Sequence, residues 1–519
     1  MQTVLQEIEA KFIVRRPAQV DDVLRTLDAL GYTIELGRET THTDTYFDTR
    51  DLSIFRAGWA LRCRESDNAN NLMLKSVSSG AHTVFVRQEV KQPIADGIDP
   101  AARKLPAGPV ADLLGKTGAG SKRTRLFTIR TQRTVYRVAS GGPQITRLEM
   151  DLDHSVIEPT NARRSAPGRL AFTELELELD AGDIAGLEGL ARHLVDDARL
   201  IPARSSKFER GLWAAGLDPE QAGKPGKRRR FNGKDAFVDL LYWYLGERRQ
   251  SLERHRPIAC EGIHPEGVHK MRVAIRRTRA MLTAFDDILP RKAARSLDRE
   301  LKWIAGQLGA ARDADVCAMA ISDIHAALPT GSEAAIAPYV DYLRQGTLDA
   351  YNDLAVVLCG RRYRATTDSL DRFVSAGATR DAELTIAKAS KRYVRPAISK
   401  TLRRGDRIGR RSTSRELHKL RIRTKRLRYL LDLFSTGQPR KWQATISALE
   451  KLQDLLGEHQ DACTARQRLD AFVASLSARK STRALWLATG RLMQREDDRI
   501  AACRRRFPAA WSRFRKAAG

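Results

Sequence analysis

Residues 173–180 read TELELELD, with Glu174, Glu176 and Glu178 at alternate positions and Leu175, Leu177 and Leu179 between them. Strict alternation marks a β-strand with one apolar and one charged face. On such a strand the three carboxylates point the same way, roughly 7 Å apart. Like charges in a row repel, and an ordinary solvent face mixes in lysine or threonine. The leucines require a core; the glutamates require something cationic opposite them.

The same alternation recurs through the first ~210 residues, in QEIEAKFIV, WALRCRE, NLMLKSV, TVFVRQEVK, IRTQRTVYRV, ITRLEMDLD and FTELELELD. Helical stretches such as AQVDDVLRTLDALG and IAGLEGLARHLVDDA interrupt them. Many strands with short helices predict an α+β sheet or barrel. One face collects Glu7, Glu9 and Lys11; others collect Arg62 with Arg64, Met73 with Lys75, Arg87 with Glu89, and Arg147, Glu149, Asp151 and Asp153. Two arrangements are compatible with this. A solvated outer face would carry surface ion pairs worth about 0–1 kcal/mol each. A closed barrel would need partners for its inner charges, because an unpaired buried ion costs several kcal/mol.

The charge is divided unevenly. Residues 1–212 hold 30 basic and 29 acidic residues, whereas 213–519 hold 61 and 34, nearly all of the chain's +28 excess. The second half therefore predicts a polyanionic partner: nucleic acid, an anionic membrane or polyphosphate. The six cysteines show no CxxC pair, which argues against a disulfide framework or a structural zinc site. Neither a signal peptide nor an apolar run of about 18 residues is evident, so a cytoplasmic protein without a membrane partner is expected.

A Gly-, Pro- and Lys/Arg-rich stretch, GLDPEQAGKPGKRRRFNGK, marks the change of character. The expected division is a domain at 1–212, a linker at 213–232 and a helical domain at 233–519. The helical part repeats itself. VHKMRVAIRRTRAML (268–282) aligns without a gap with LHKLRIRTKRLRYLL (417–431), an offset of 149, and LGAARDADV aligns with LGEHQDACT. Two copies, approximately 233–380 and 381–519, predict two four-helix bundles related by a pseudo-twofold axis. On a helix His269, Arg272, Arg276 and Arg279 form one ridge, and His418, Arg421, Lys425 and Arg428 repeat it, with Arg277 and Arg426 widening the ridges. A solvated basic face with Asp313, Asp315 and Asp461 as ion-pair partners is the plainer alternative. Against it, residues 391–430 contain 16 Lys/Arg and only 2 acidic residues.

EIEAKF at 7–12 resembles the ExExK signature of the CYTH domain, the triphosphate tunnel metalloenzymes. The likeness continues through YFDT (46–49), LRCR (61–64), Lys75, RQE (87–89), RTVY (133–136), LEMDLD (148–153), ELELEL (174–179) and SSK (205–207). It implies an eight-stranded antiparallel tunnel that binds a triphosphate. It further implies that Glu7, Glu9, Glu174, Glu176 and Glu178 hold Mg²⁺ or Mn²⁺. Lys11, Arg62, Arg64, Lys75, Arg87, Arg133 and Lys207 would bind phosphate, with Glu89, Glu149 and Asp153 also in the tunnel. Two departures are notable. Lys91 stands where a second glutamate is common, which would alter metal occupancy or substrate preference. His154 replaces a glycine and is expected to touch only a turn, while a long loop at 158–169 precedes the acidic strand.

The helical half resembles the CHAD domain through VHKMRVAIRRTRA with LGAARDADV and LHKLRIRTKRLRY with LGEHQDA. This implies binding of inorganic polyphosphate, with association to polyphosphate granules, through the ten ridge residues above. Scarce aromatic interleaving makes nucleic acid the weaker partner. The function expected from the fusion is hydrolysis of tripolyphosphate to diphosphate and phosphate. An organic triphosphatase, an adenylate cyclase and a non-catalytic polyanion binder are the alternatives.

Overall fold

The computed structural model describes residues 5–66, 69–77, 84–95, 97–116, 122–141, 146–161, 168–217, 230–329, 331–344, 347–377, 384–438, 440–476 and 482–519. Most of the expected linker, the repeat boundary near 380, part of the 158–169 loop, and Thr83 and Ile145 at two expected strand starts lie outside these. Two compact units result, Met1–Lys227 with Arg254–Val268, and Arg228–Glu253 with His269–Gly519.

The first unit is built on β1 (Leu5–Val14), β2 (Tyr32–Thr49), β3 (Trp59–Ser66), β4 (Ala69–Ser76), β5 (Val84–Ile94), β6 (Arg123–Ser140), β7 (Arg147–Pro159) and β8 (Leu170–Ala181). They run β5-β4-β3-β2-β6-β7-β8-β1, and β1 returns to β5, closing an antiparallel barrel. Closure removes the free edges that an open sheet would expose. β1 manages it by dividing one edge: Leu5–Ala10 pair with β5, while Phe12 and Ile13 pair with the two-residue β9 (Ile201–Pro202).

The leucines of the acidic strand face outward. Leu175 and Leu177 join Ala10, Phe12, Leu148 and Met150 in a core covered by α1 (Ala18–Ala29) and α4 (Ile184–Asp196). Each such leucine contributes roughly 1.5–3 kcal/mol by leaving water. With the apolar side committed to the helices, the period of two turns every glutamate to the barrel interior. α2 (Ser53–Arg56), α3 (Pro109–Lys116) and α5 (Lys207–Ala215) complete the unit. Ser206 and Glu209 form a capping box at the start of α5, whose Phe208, Leu212 and Trp213 pack with Phe127, Ile129 and Ile157.

The second unit is helical: α6 (Phe237–Glu261), α7 (Pro265–Ala284), α8 (Arg291–Ala327), α9 (Glu333–Arg344), α10 (Thr347–Cys359), α11 (Arg361–Ser375), α12 (Ile386–Gly405), α13 (Ser414–Ser435), α14 (Gln443–Ser475) and α15 (Arg483–Ala518). The ends of α6 and α7 nearest their connection belong to the first unit. α12 and α13 begin 149 residues after α6 and α7, the offset of the sequence repeat. Counterparts also touch one another. Ala236 bridges Thr385, and Phe285 meets Phe434 with ring centroids 6.4 Å apart, both rings packing on Phe237. Residues that contact their own equivalents must lie near a twofold axis. Where the second copy has the single long α15, the first has α9, α10 and α11.

Candidate functional site

A cavity of about 290 Å³ occupies the barrel interior. All seven expected phosphate-binding cations line it: Lys11, Arg62, Arg64, Lys75, Arg87, Arg133 and Lys207, together with Glu7, Glu176, Glu178, Glu89 and Glu149. Glu9, Glu174 and Asp153 lie behind that lining, each no more than 1 % exposed. Eight strands and the start of α5 thus contribute to one space.

The charges are interlocked. Lys11 Nζ is 2.6 Å from Glu176 Oε1 and 2.9 Å from Glu9 Oε2. Lys75 pairs with Glu7, and Arg87 Nε is 3.2 Å from Glu9 Oε1. Arg133 donates from Nε to Asp153 at 2.7 Å and reaches Asp151 and Glu176. Lys207 pairs with Asp153 and lies 3.1 Å from Glu176 Oε1. On the opposite wall Arg64 donates twice to Asp44 at 2.8 Å, and Arg62 bridges Asp44 and Glu89 at 3.2 Å.

Two electrostatic zones follow. Burial alone would raise the Glu9 carboxyl, but Lys11, Lys75 and Arg87 hold it down at about 2. Glu176 is likewise held well below its ordinary range against burial by Lys11, Lys207 and Arg133. Elsewhere repulsion and burial prevail. Burial, with Glu7 and Glu9 nearby, pushes Glu178 up to about 7. Asp151 also rises to about 7, through burial opposed by Arg133 and reinforced by Glu176 and Asp153.

Among the described residues no group of three His, Cys, Asp or Glu side chains is arranged to hold a metal ion. Lysine ammonium groups stand between the carboxylates. The donor chemistry still fits a hard divalent cation, which takes oxygen ligands. Asp151 Oδ1 is buried without a hydrogen-bond partner, and the raised Glu178 carboxyl faces other carboxylates. A cation would take up the unused Asp151 oxygen and favour the ionised form of both carboxyls over the protonated one.

Several site features escaped the sequence reading. Arg38 lines the cavity from a register shift between Leu36 and Glu39 in β2. Asp44, buried on β2, orients Arg62 and Arg64. Arg210 is fully buried with Nη1 3.0 Å from Glu174 Oε1; it lies four residues into α5, away from any alternating pattern. Asp48 of YFDT accepts from the backbone N–H groups of Thr49, Ile54 and Phe55, a structural role at the start of α2. Lys91 lines the cavity and pairs with Glu89 at 3.1 Å. His154 does not sit in a turn. It lies within β7, opposite in phase to Asp153, and bonds Thr173 on the exposed face at 2.9 Å.

In the helical unit, the two ridges are brought together only in part. Arg272, Arg276, Arg421 and Lys425 lie close enough to act on one another: burial first, then Arg421 and Arg276, lowers Lys425 to about 8. Arg276 donates to the Tyr429 hydroxyl at 3.3 Å, so α7 and α13 face each other here. Three of the remaining ridge arginines have acidic partners. Arg279 donates to Asp298 at 2.8 Å, Arg277 to Asp432 at 3.0 Å and Arg428 to Glu450 at 2.7 Å. Arg426 lines a separate cavity with Arg392, Lys400 and Arg423. His418 Nδ1 is 2.6 Å from Gln460 Oε1, and His269 is half-buried. Asp315 is engaged by Tyr351 and Arg312, away from the ridges.

Comparison with known proteins agrees with this division. An uncharacterised protein of Mycobacterium tuberculosis is 26% identical over 545 residues, covering 97% of this chain and 98% of its own. The CHAD domain from the plant Ricinus communis is 23% identical and covers 55% of this chain and 94% of its own, with a TM-score of 0.44. A Hippeastrum adenylyl cyclase candidate, described as having a dominant triphosphatase activity, is 19% identical over 41% of this chain and 97% of its own, with a TM-score of 0.31. The CYTH domain model matches residues 5–212 and the CHAD domain model residues 244–470. The chain therefore carries a CYTH domain at residues 5–212 and a CHAD domain at residues 244–470.

Proposed function

We propose that the protein is a metal-dependent inorganic triphosphatase, hydrolysing tripolyphosphate to diphosphate and phosphate, fused to a polyphosphate-binding helical module. The observation that carries the reading is the convergence of nine cationic side chains, the seven expected ones with Arg38 and Lys91, and five carboxylates on one small space. At about 290 Å³ that space stands at the lower end of ligand pockets, which run to about 1,000 Å³. Its aromatic lining residues, Tyr46 and Phe208, pack in tilted contact with each other and with Phe127, and charged side chains make up most of the rest of the wall. Such a lining suits a ligand that is phosphate throughout.

In this reading Arg62 and Arg64, pre-oriented by Asp44, and Arg87, Arg133, Lys11, Lys75 and Lys207 bind and align the phosphates. Glu7, Glu9, Glu174, Glu176 and Glu178 would hold the divalent ion, Mg²⁺ or Mn²⁺. When bound, it would neutralise phosphate charge and activate water for in-line attack. Glu178, with its raised proton affinity, faces Glu7 and Glu9 at the acidic end. The lysines that pair with the carboxylates would turn to phosphate oxygens when substrate enters.

For the helical module the support is the group Arg272, Arg276, Arg421 and Lys425, whose mutual repulsion a chain of closely spaced phosphates would relieve. This surface would place the protein at polyphosphate granules. No helix among the described residues is long and apolar enough to cross a membrane. The deciding experiment measures phosphate release from tripolyphosphate, ATP and thiamine triphosphate, each with and without Mg²⁺. Preference for tripolyphosphate supports the proposal. Preference for either organic substrate replaces it with an organic triphosphatase, and hydrolysis of none in either condition removes the enzyme reading.

A further inference from the structure

Glu261 is fully buried, yet its carboxylate is saturated with donors. It accepts from the backbone N–H groups of Arg204 and Ser205 at 2.8 Å, from the Ser205 hydroxyl at 2.7 Å and from Arg210 Nε at 2.9 Å. The carbonyl of Glu261 also accepts from Arg15 Nη2 at 2.9 Å. These contacts hold residues of the first compact unit together, since that unit includes Arg254–Val268. In sequence, however, Glu261 lies well beyond the CYTH match and inside the CHAD match.

Two short routes lead from Glu261 to the tunnel. The first runs through Arg210, whose guanidinium is fully buried, lies 4.5 Å over the Phe172 ring and pairs with Glu174 at 3.0 Å. The second runs through Ser205, which precedes the Ser206 cap of α5. Lys207, the first residue of that helix, projects to Asp153 and Glu176 in the cavity wall. A buried guanidinium between two carboxylates is fixed by both, and a capped helix start is fixed by whatever anchors its preceding residue.

We infer that Glu261 is a positioning residue of the phosphate tunnel, setting Glu174 through Arg210 and Lys207 through Ser205. The tunnel is then completed by a residue of the segment matched as CHAD. This inference rests on the tunnel being the triphosphate site. Without Glu261 the Arg210 charge would fall wholly on Glu174, and the start of α5 would lose its anchor. Both changes alter the presentation of Lys207 without removing any group that lines the cavity.

The test uses the full chain and the variants Glu261→Gln and Glu261→Asp, with tripolyphosphate binding followed by calorimetry in EDTA. The thermal midpoint and the kcat and KM of each variant are measured alongside. Supporting residues around such sites typically contribute 10–100-fold, so Glu261→Gln should bind tripolyphosphate about tenfold more weakly. Glu261→Asp, which keeps the charge, should recover part of that loss. If wild type binds and Glu261→Gln binds equally well, even with a lowered midpoint, the inference is overturned while the tunnel assignment stands. A Glu261→Asp variant no better than Gln also overturns it. Wild type that binds no tripolyphosphate in EDTA and releases no phosphate from it with Mg²⁺ removes both. Should Glu261→Gln fail to fold, Ser205→Ala carries the test: severalfold weaker binding supports the anchor, and unchanged binding refutes it.

Discussion

Lys11 and Glu176 are direct register partners on β1 and β8, and their charged ends meet at 2.6 Å inside the barrel. Arg133 and Lys207 approach the same carboxylate at 3.0 and 3.1 Å. One glutamate thus holds three cations in place around the cavity. Its own proton affinity is depressed by them despite its burial.

Glu176→Gln should therefore disturb more than one charge. The three cations lose their common anchor and repel one another. Losing a single preorganised charge contact typically lowers kcat by about 10²–10³, and a fall of at least about a hundredfold in tripolyphosphate hydrolysis is expected. Steady-state phosphate release checks this, and a variant turning over at the wild-type rate contradicts the assignment.

The acidic end predicts the pH dependence of the metal-free protein. Glu178 and Asp151 have folded-state values near 7, above their ordinary values of 4.5 and 3.8. A carboxyl raised on folding favours the protonated native state, so stability is greatest at low pH and declines as pH rises toward about 7. Glu9 is shifted the other way, to about 2, so its stabilising contribution is already complete above its ordinary value. In EDTA the thermal midpoint should fall between about pH 5 and 7.5. Added Mg²⁺ should reverse the fall at the upper end, and Glu178→Gln should flatten it.

Gly211 offers a test of packing rather than charge. A Cβ built there would come within 2.1 Å of the Phe127 ring. Phe127 is wholly buried among Tyr46 and Phe208 and has no room to withdraw. Overpacking of this kind costs about 1–3 kcal/mol. Gly211→Ala should lower the midpoint of the first unit's thermal transition and, by shifting α5, weaken tripolyphosphate binding through Lys207.

How legible the molecule is from sequence depended on whether a pattern was local. β8 announces both its faces, because Leu175 and Leu177 meet helices while Glu174 and Glu176 meet cations. β2 shows no such pattern. Residues 35–39 are exposed on both faces, and Gly37 with a register shift at Leu36/Glu39 breaks the alternation, so the longest strand alongside β6 was not foreseen. Arg38 enters the cavity through that same irregularity. On the ridges, helical spacing put Arg279 and Arg428 in line with Arg272 and Arg421. It did not reveal Asp298 and Glu450, which come from other helices. Periodicity gives a side chain's direction; its partner comes from tertiary packing.

That distinction sets the last prediction, for the helical unit. Arg276→Ala and Lys425→Ala remove cations from the cluster of like charges and should weaken polyphosphate binding and reduce its dependence on salt. Arg279→Ala, already paired with Asp298, should change affinity little. Lys425 adds a pH signature. Its folded value of about 8 lies below the ordinary 10.5, because burial and then Arg421 and Arg276 disfavour the ammonium. A lysine depressed in this way burdens the folded state below about pH 8, and the burden lifts as pH rises further. A polyanion favours the charged form, so binding near pH 8 should take up a proton, and affinity should fall between about pH 7 and 9. Lys425→Arg keeps the charge throughout that range and should flatten the profile. Titrations of polyphosphate at several pH values and fixed salt decide it: an equally steep profile in Lys425→Arg would take Lys425 out of the binding surface, and affinity for DNA matching that for polyphosphate would mean a general polyanion surface.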